Sequence, residues 1–279
     1  MLIETVTLHP ELGATLTSLN ISNTNELKQT PRRAVIVFPG GGYSALSDRE
    51  AEPIAMQYLA AGFATFILRY SIKEAAADFR PLKEAALAVK YVRENAERYN
   101  VDPNYVFTCG FSAGGHCAAS IGVLWDHPAV REILGCEDTA IARPTGMILS
   151  YPVITTGEYT HLHTSQRLCG KPVCEERNFT AEECAPFSLE LHVNETTPPA
   201  FIWHTFADQA VPVQNSLMLA SAYASAKVPC ELHIFPEGVH GLSLCNEQTA
   251  SGRHEKFVIP HNECWMALSV QWARDLKLS

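Results

Sequence analysis

Basic clusters are missing from this sequence. Its 21 lysines and arginines are spread thinly through 279 residues against 30 acidic ones, for a formal net charge of -9. Without a positive patch there is no electrostatic footprint for a phosphate backbone or an anionic bilayer, so neither nucleic acid nor a membrane surface is an expected partner. Also missing is any apolar run of membrane-spanning length, and the opening MLIETVTLHPELG has no basic leader ahead of a long apolar stretch. These absences predict a cytoplasmic setting. Cysteine is not scarce, but its nine copies are odd in number and scattered, unlike the even framework of a stapled secreted domain, so the expectation is reduced thiols throughout. Compact zinc spacings are lacking too. His161, His163, Cys169, Cys174 and Cys184 fit none of them, and a chain of this size with 47% apolar residues needs no metal staple, so no metal is expected.

What is present is a change of rhythm. Two alternating runs, IETVTL (3–8) and ATLTSLNIS (14–22), flank the turn-rich HPELG and predict antiparallel strands. From residue 34 onward, short unbroken apolar runs follow: AVIVF (34–38), FATFIL (63–68), YVFTC (105–109), TGMILSY (145–151), AFIWHT (200–205) and ELHIF (231–235). Strands of that kind are buried on both faces, as in a parallel sheet covered by helices. Helices are predicted between them at 48–61, 80–99, 112–125, 213–227 and 262–276; in 80–99, Leu82, Ala86, Val89, Val92, Ala96 and Tyr99 recur at helical spacing. No repeat or linker divides the chain, so residues 1–279 read as one α/β domain. Residues 152–199 break the alternation with only weak periodicity. A segment that long, leaving the carboxyl end of a parallel strand, is expected to wall a pocket.

The chemistry gathers at strand ends. Gly110-Phe111-Ser112-Ala113-Gly114 has G-x-S-x-G spacing after a strand and before a helix, where a sharp turn exposes a serine hydroxyl and the Ala113 amide can face a developing oxyanion. The competing reading of Ser112 is a helix-capping serine in a glycine-rich turn. VFPGGGYS (37–44) closes the first parallel strand, and its Gly41 and Gly42 amides are candidate oxyanion donors; a phosphate loop is disfavoured because no G-K-[ST] follows. A serine needs a base and the base an orienting acid. Asp208 falls just past AFIWHT and His240 just past ELHIF, in the order serine, acid, histidine. His116 lies within the helix that Ser112 opens, His204 and His233 fall inside strands, and Glu237 is too near His240 in sequence, so His240 and Asp208 are preferred. SDRE (47–50) reads as a helix start with Asp48 near its positive end.

Together, PGGGYSALSDREAEPIA, FILRYS, VDPNYVFTCGFSAGGH, PPAFIWHTFADQAVPV and ELHIFPEGVHGLSL resemble the α/β-hydrolase superfamily, and more narrowly its bacterial acetyl-esterase or xylan-esterase-like group, from about residue 30 onward. The resemblance implies a mostly parallel eight-stranded sheet with helices on both faces, with 152–199 as a short cap-like insertion. It implies Ser112 as nucleophile, His240 as base, Asp208 as its acid, and the amides of Gly41, Gly42 and Ala113 as the oxyanion hole. It also implies hydrolysis of short acyl esters of sugars or other small soluble molecules, with no cofactor. Tyr43, Tyr70 and parts of the insertion are the expected pocket walls. Pro39 stands where the related lipase and esterase branch has histidine, so what braces the glycine loop is open. Amide hydrolysis, by an arylformamidase or a small serine peptidase, and a non-catalytic ligand-binding protein are the alternatives; a homodimer is neither required nor excluded.

Overall fold

A computed structural model describes residues 2–22, 24, 26, 30–250, 252 and 254–277. Eight strands form one sheet: β1 (Leu2–Thr7), β2 (Thr15–Asn20), β3 (Arg32–Phe38), β4 (Ala64–Arg69), β5 (Val101–Phe111), β6 (Gly146–Ser150), β7 (Ala200–Thr205) and β8 (Cys230–Phe235). Their order is β1-β2-β4-β3-β5-β6-β7-β8. The pairs β1·β2 and β2·β4 are antiparallel, and every pairing from β4·β3 to β7·β8 is parallel. The two antiparallel strands at the amino end and the six parallel ones thus fall where the hydropathy pattern puts them.

Alternation along each central strand feeds two cores. Ile36, Val106, Met147, Leu149 and Ile202 pack on one face of the sheet, whereas Val35, Val37, Phe107, Ile148 and Trp203 pack on the other. Because successive side chains of a strand point to opposite faces, a strand apolar at every position must be covered twice. The first face is covered by α2 (Arg80–Glu94), α3 (Ala113–Val123) and α6 (Gln214–Ala226); α1 (Glu52–Ala60) and α7 (Cys264–Asp275) cover the second. Two shorter helices, α4 (Pro128–Leu134) and α5 (Leu162–Leu168), complete the set of seven residues or more among the described residues. No helix among the described residues is long and apolar enough to cross a membrane.

Two expectations change. The helix expected over 80–99 is interrupted at Asn95, whose side chain donates to the Tyr91 carbonyl at 2.8 Å, and resumes as a single turn at Ala96–Tyr99. The cysteines are not all reduced: Cys169 and Cys184 are joined, with Cα atoms 5.9 Å apart, and the other seven are free thiols. Both partners lie in 152–199, where the end of α5 is brought against a short turn at Ala181–Cys184, so the bond staples a segment that has few strands or helices of its own.

Candidate active site

Ser112 joins β5 to α3 with φ +54° and ψ -120°, a conformation a side chain seldom adopts. The turn is tight enough that a Cβ on Gly114 would sit 2.1 Å from the Phe38 carbonyl oxygen, and one on Gly110 2.2 Å from the Gly114 oxygen, so the spacing of the two glycines is a steric requirement. The Ser112 amide donates to the Ser150 carbonyl at 3.0 Å and the Ser112 carbonyl accepts from Val153 at 3.0 Å, which anchors the turn to the start of the insertion.

The residues expected to act with Ser112 are brought together. Its Oγ lies 2.7 Å from His240 Nε2, and His240 Nδ1 lies 2.6 Å from Asp208 Oδ2. A carboxylate only accepts, so Nδ1 carries the proton and Nε2 is left to accept the serine hydroxyl. The acid loop is tied to the histidine loop by Thr205, whose hydroxyl donates to the Gly238 carbonyl at 2.9 Å. Asp208 Oδ1 accepts from the Ala210 and Val211 amides at 2.9 and 3.0 Å. Burial alone would raise the Asp208 carboxyl, but hydrogen bonds from His204 and His240, the charge interaction with His240 and the Val211 amide reverse it, holding the group well below the usual carboxylate range.

His204 is the part of this arrangement that strand placement hid. Fully buried on β7, it sets Nε2 2.9 Å from the Val211 carbonyl and 3.3 Å from Asp208 Oδ2, with Nδ1 2.8 Å from the Ser216 hydroxyl. Nε2 therefore donates and Nδ1 accepts. The signal was in HTFAD: the acid is the fourth residue after a strand-end histidine.

The glycine loop abuts the serine, since a Cβ on Gly40 would lie 3.0 Å from Ser112 Cβ. Gly41 adopts φ +130°, and its carbonyl accepts from both Ser44 and Ala45 at 3.0 Å, so the loop turns back on itself. The amides of Gly41, Gly42 and Ala113 find no acceptor among the described residues. What braces the loop is Glu50, a carboxylate only 3% exposed: Oε2 accepts from the Gly40 amide at 2.9 Å and Oε1 from the Tyr151 hydroxyl at 2.6 Å. Tyr151 in turn accepts from the Ser243 amide at 2.9 Å and sets its ring edge-on to His240, with centroids 5.1 Å apart. Arg49 donates to the Gly241 carbonyl at 2.9 Å. SDRE is thus a strut between the glycine loop and the histidine loop, besides leading into α1 as the helix start the sequence suggests.

Tyr43 and Tyr70, expected as pocket walls, take up supporting places instead. They are 1% and 3% exposed, the Tyr43 hydroxyl donates to His116 Nδ1 at 3.0 Å, and the Tyr70 hydroxyl donates to the Pro39 carbonyl at 2.5 Å. His116, whose Nε2 donates to the Phe187 carbonyl at 2.9 Å, is pushed down to about 4 by burial, against the pull of that bond. It links the loop to the insertion as a neutral imidazole. His161, by contrast, reaches the site: its Cε1 is 3.6 Å from where a Gly42 side chain would begin. Among the described residues no three histidine, cysteine or acidic side chains are grouped to hold a metal ion.

A serine hydroxyl on a strained turn, an imidazole set to take its proton, a buried acid behind it and open amides alongside can carry out acyl transfer. Known proteins share the frame. The chain is 39% identical over 229 residues to an endo-1,4-beta-xylanase B of Butyrivibrio fibrisolvens, covering 79% of this chain and 34% of that protein. It is 30% identical over 215 residues to an acetylxylan esterase of Xylanibacter ruminicola, covering 76% and 41%. It therefore spans between a third and about two fifths of the length of these relatives. The crystal structure of an acetyl ester-xyloside bifunctional hydrolase from Caldicellulosiruptor lactoaceticus superposes with a TM-score of 0.77 at 31% identity, covering 95% of this chain and 89% of that one. The BD-FAE family model matches residues 19–223, most of the sheet and the glycine and serine turns included, and the chain belongs to the BD-FAE family of α/β hydrolases.

Proposed function

We propose that this protein is a serine carboxylesterase that removes short acyl groups, acetyl first, from sugars or other small hydroxylated molecules. The observation that carries the reading is the continuous Ser112–His240–Asp208 chain at 2.7 and 2.6 Å. Ser112 Oγ attacks the ester carbonyl as its proton passes to His240 Nε2; the Gly41, Gly42 and Ala113 amides receive the oxyanion. His240 then returns the proton to the leaving alcohol, and water activated by the same imidazole releases the acid from the acyl-enzyme. Asp208, held charged, stabilises the imidazolium. The names of the acetylxylan esterase and acetyl ester-xyloside hydrolase relatives support acetyl and sugar as the two halves of the substrate.

Ser112→Ala tests the reading. Turnover of p-nitrophenyl acetate and of acetylated xylose is expected to fall by roughly a thousandfold or more, with the circular dichroism spectrum unchanged. Undiminished turnover in that variant overturns the assignment. Rates of the wild type on N-formylkynurenine and on a dipeptide amide, measured beside acetylated xylose, separate ester from amide hydrolysis.

A further inference from the structure

His161 joins no group of three metal-ligating side chains among the described residues. Its surroundings give it other work. The residue opens α5 at the edge of the insertion, and its ring lies across Gly42 at 3.6 Å from the point where a side chain would start. Nδ1 is engaged with Thr164 Oγ1 at 2.8 Å. Nε2 has no partner among the described residues and is not sealed from solvent, so one polar atom of a largely buried ring is left open, on a ring whose Cε1 edge meets the glycine loop.

The direction follows from two neighbours. Gly42 belongs to the glycine loop that abuts Ser112, and His240, near enough to His161 for the two imidazoles to oppose being protonated together, delivers the proton to the leaving group. A group near both faces the alcohol half of the ester. Burial first, then the His240 and His163 imidazoles, push His161 down to about 4 against the pull of Asp208. It is neutral near pH 7, with either tautomer available as Thr164 rotates its hydroxyl. Such an imidazole can donate to or accept from a hydroxyl group, and repels no carbohydrate by charge.

Resting on the ester-hydrolase reading, we propose that His161 is a substrate-binding residue whose Nε2 hydrogen-bonds a free hydroxyl on the alcohol half of the ester, so that acylated polyols and sugars are preferred over acylated alcohols lacking one. The insertion is well placed to hold it still. Asn215 on α6 accepts from the Ile154 and Thr155 amides at 2.8 and 3.0 Å and donates to the Tyr159 carbonyl at 2.9 Å, which fixes the chain just before His161.

The test compares a monoacetylated methyl xyloside with cyclohexyl acetate, which has a ring of similar size and no hydroxyl. His161→Phe keeps a flat ring and removes the polar edge; His161→Gln keeps a donor and an acceptor. For His161→Phe, kcat/KM on the xyloside is expected to fall roughly tenfold while cyclohexyl acetate stays within about twofold, and His161→Gln should recover part of the loss. Hydrolysis of cyclohexyl acetate reports in the same sample that the variant is folded. Equal losses on both substrates, or no loss on the xyloside, overturn the proposal. Wild-type protein that hydrolyses neither ester overturns the esterase reading on which it rests, a result distinct from either.

Discussion

Glu50 is a carboxylate with almost no water, and both its oxygens are spent on parts of the site: the Gly40 amide on one side and the Tyr151 hydroxyl on the other. A buried charge is tolerated when such bonds replace its hydration, and the geometry it imposes is correspondingly stiff. Glu50→Gln keeps the volume and one acceptor for Gly40 but loses the charge; Tyr151→Phe cuts the same link from the other end. Each is expected to lower kcat roughly tenfold with little change in KM, since each costs one or two charge-assisted bonds that hold the loops apart from any substrate. Because both changes break one connection, the double variant should lose hardly more than either single one, and a double-mutant cycle on p-nitrophenyl acetate that returns strictly additive losses would refute the strut. Residues that hold a site this way are poorly legible in a sequence. Ser112, Asp208 and His240 declare themselves by standing just beyond strands in a required order, whereas Glu50 sits in SDRE beside the exposed Asp48, and only the folded chain turns one of the two acids inward. Tyr43 and Tyr70 show the reverse error: aromatic residues beside a glycine loop suggest a pocket wall, yet both hydroxyls are taken by the protein's own acceptors.

Among elements, the strands were the most legible, because a run such as AVIVF has no alternative to burial on both faces, while helix ends depend on single side chains such as Asn95. The insertion was least legible. Its weak periodicity reflects helices of one or two turns, α5 and the turns at Ala181–Cys184, Ala185–Phe187 and Leu189–Leu191, too short to show a stripe. Polar ties replace an apolar face there: Thr156 bonds the Ser188 hydroxyl at 2.7 Å, and Thr180 with Glu183 forms a reciprocal cap. In such a segment the Cys169–Cys184 bond matters more than it would in the core. Closing a loop of 15 residues removes chain entropy worth about 3 kcal/mol from the opened state. Replacing both cysteines by serine should therefore speed amide hydrogen exchange over 162–168 by two orders of magnitude or so, while the strands exchange as before. Exchange over α5 that is the same with and without the bond would show that the polar ties suffice.

At the scale of the molecule, the two cores are unequal in what they enclose. The face covered by α2 and α3 contains Glu84, fully buried among apolar side chains, its oxygens accepting from the Ser71 amide and hydroxyl at 2.6 and 2.5 Å. The helical stripe read from 80–99 leaves this position out; burial of α2 is wider than one stripe because Pro81, Glu84, Ala85 and Ala88 are covered as well. Burial raises the Glu84 carboxyl to about 7, despite the opposing bonds from Ser71. In the unfolded chain it titrates near 4.5, so between those values the unfolded state gives up a proton that the folded state retains, and stability falls as pH rises. The favourable contribution is complete below about 4.5 and is lost by about pH 7, an effect of about 3 kcal/mol at most. Asp208, held low, moves stability in the opposite sense only in more acid solution. The difference between wild type and Glu84→Gln isolates the one group: the variant, neutral at every pH, should gain on the wild type steadily from pH 4.5 to 7.5 in urea unfolding midpoints and hold a constant margin above that. A margin that does not change across the window would mean that Glu84 is ionised in the folded protein throughout, and that the bonds from Ser71 outweigh its burial.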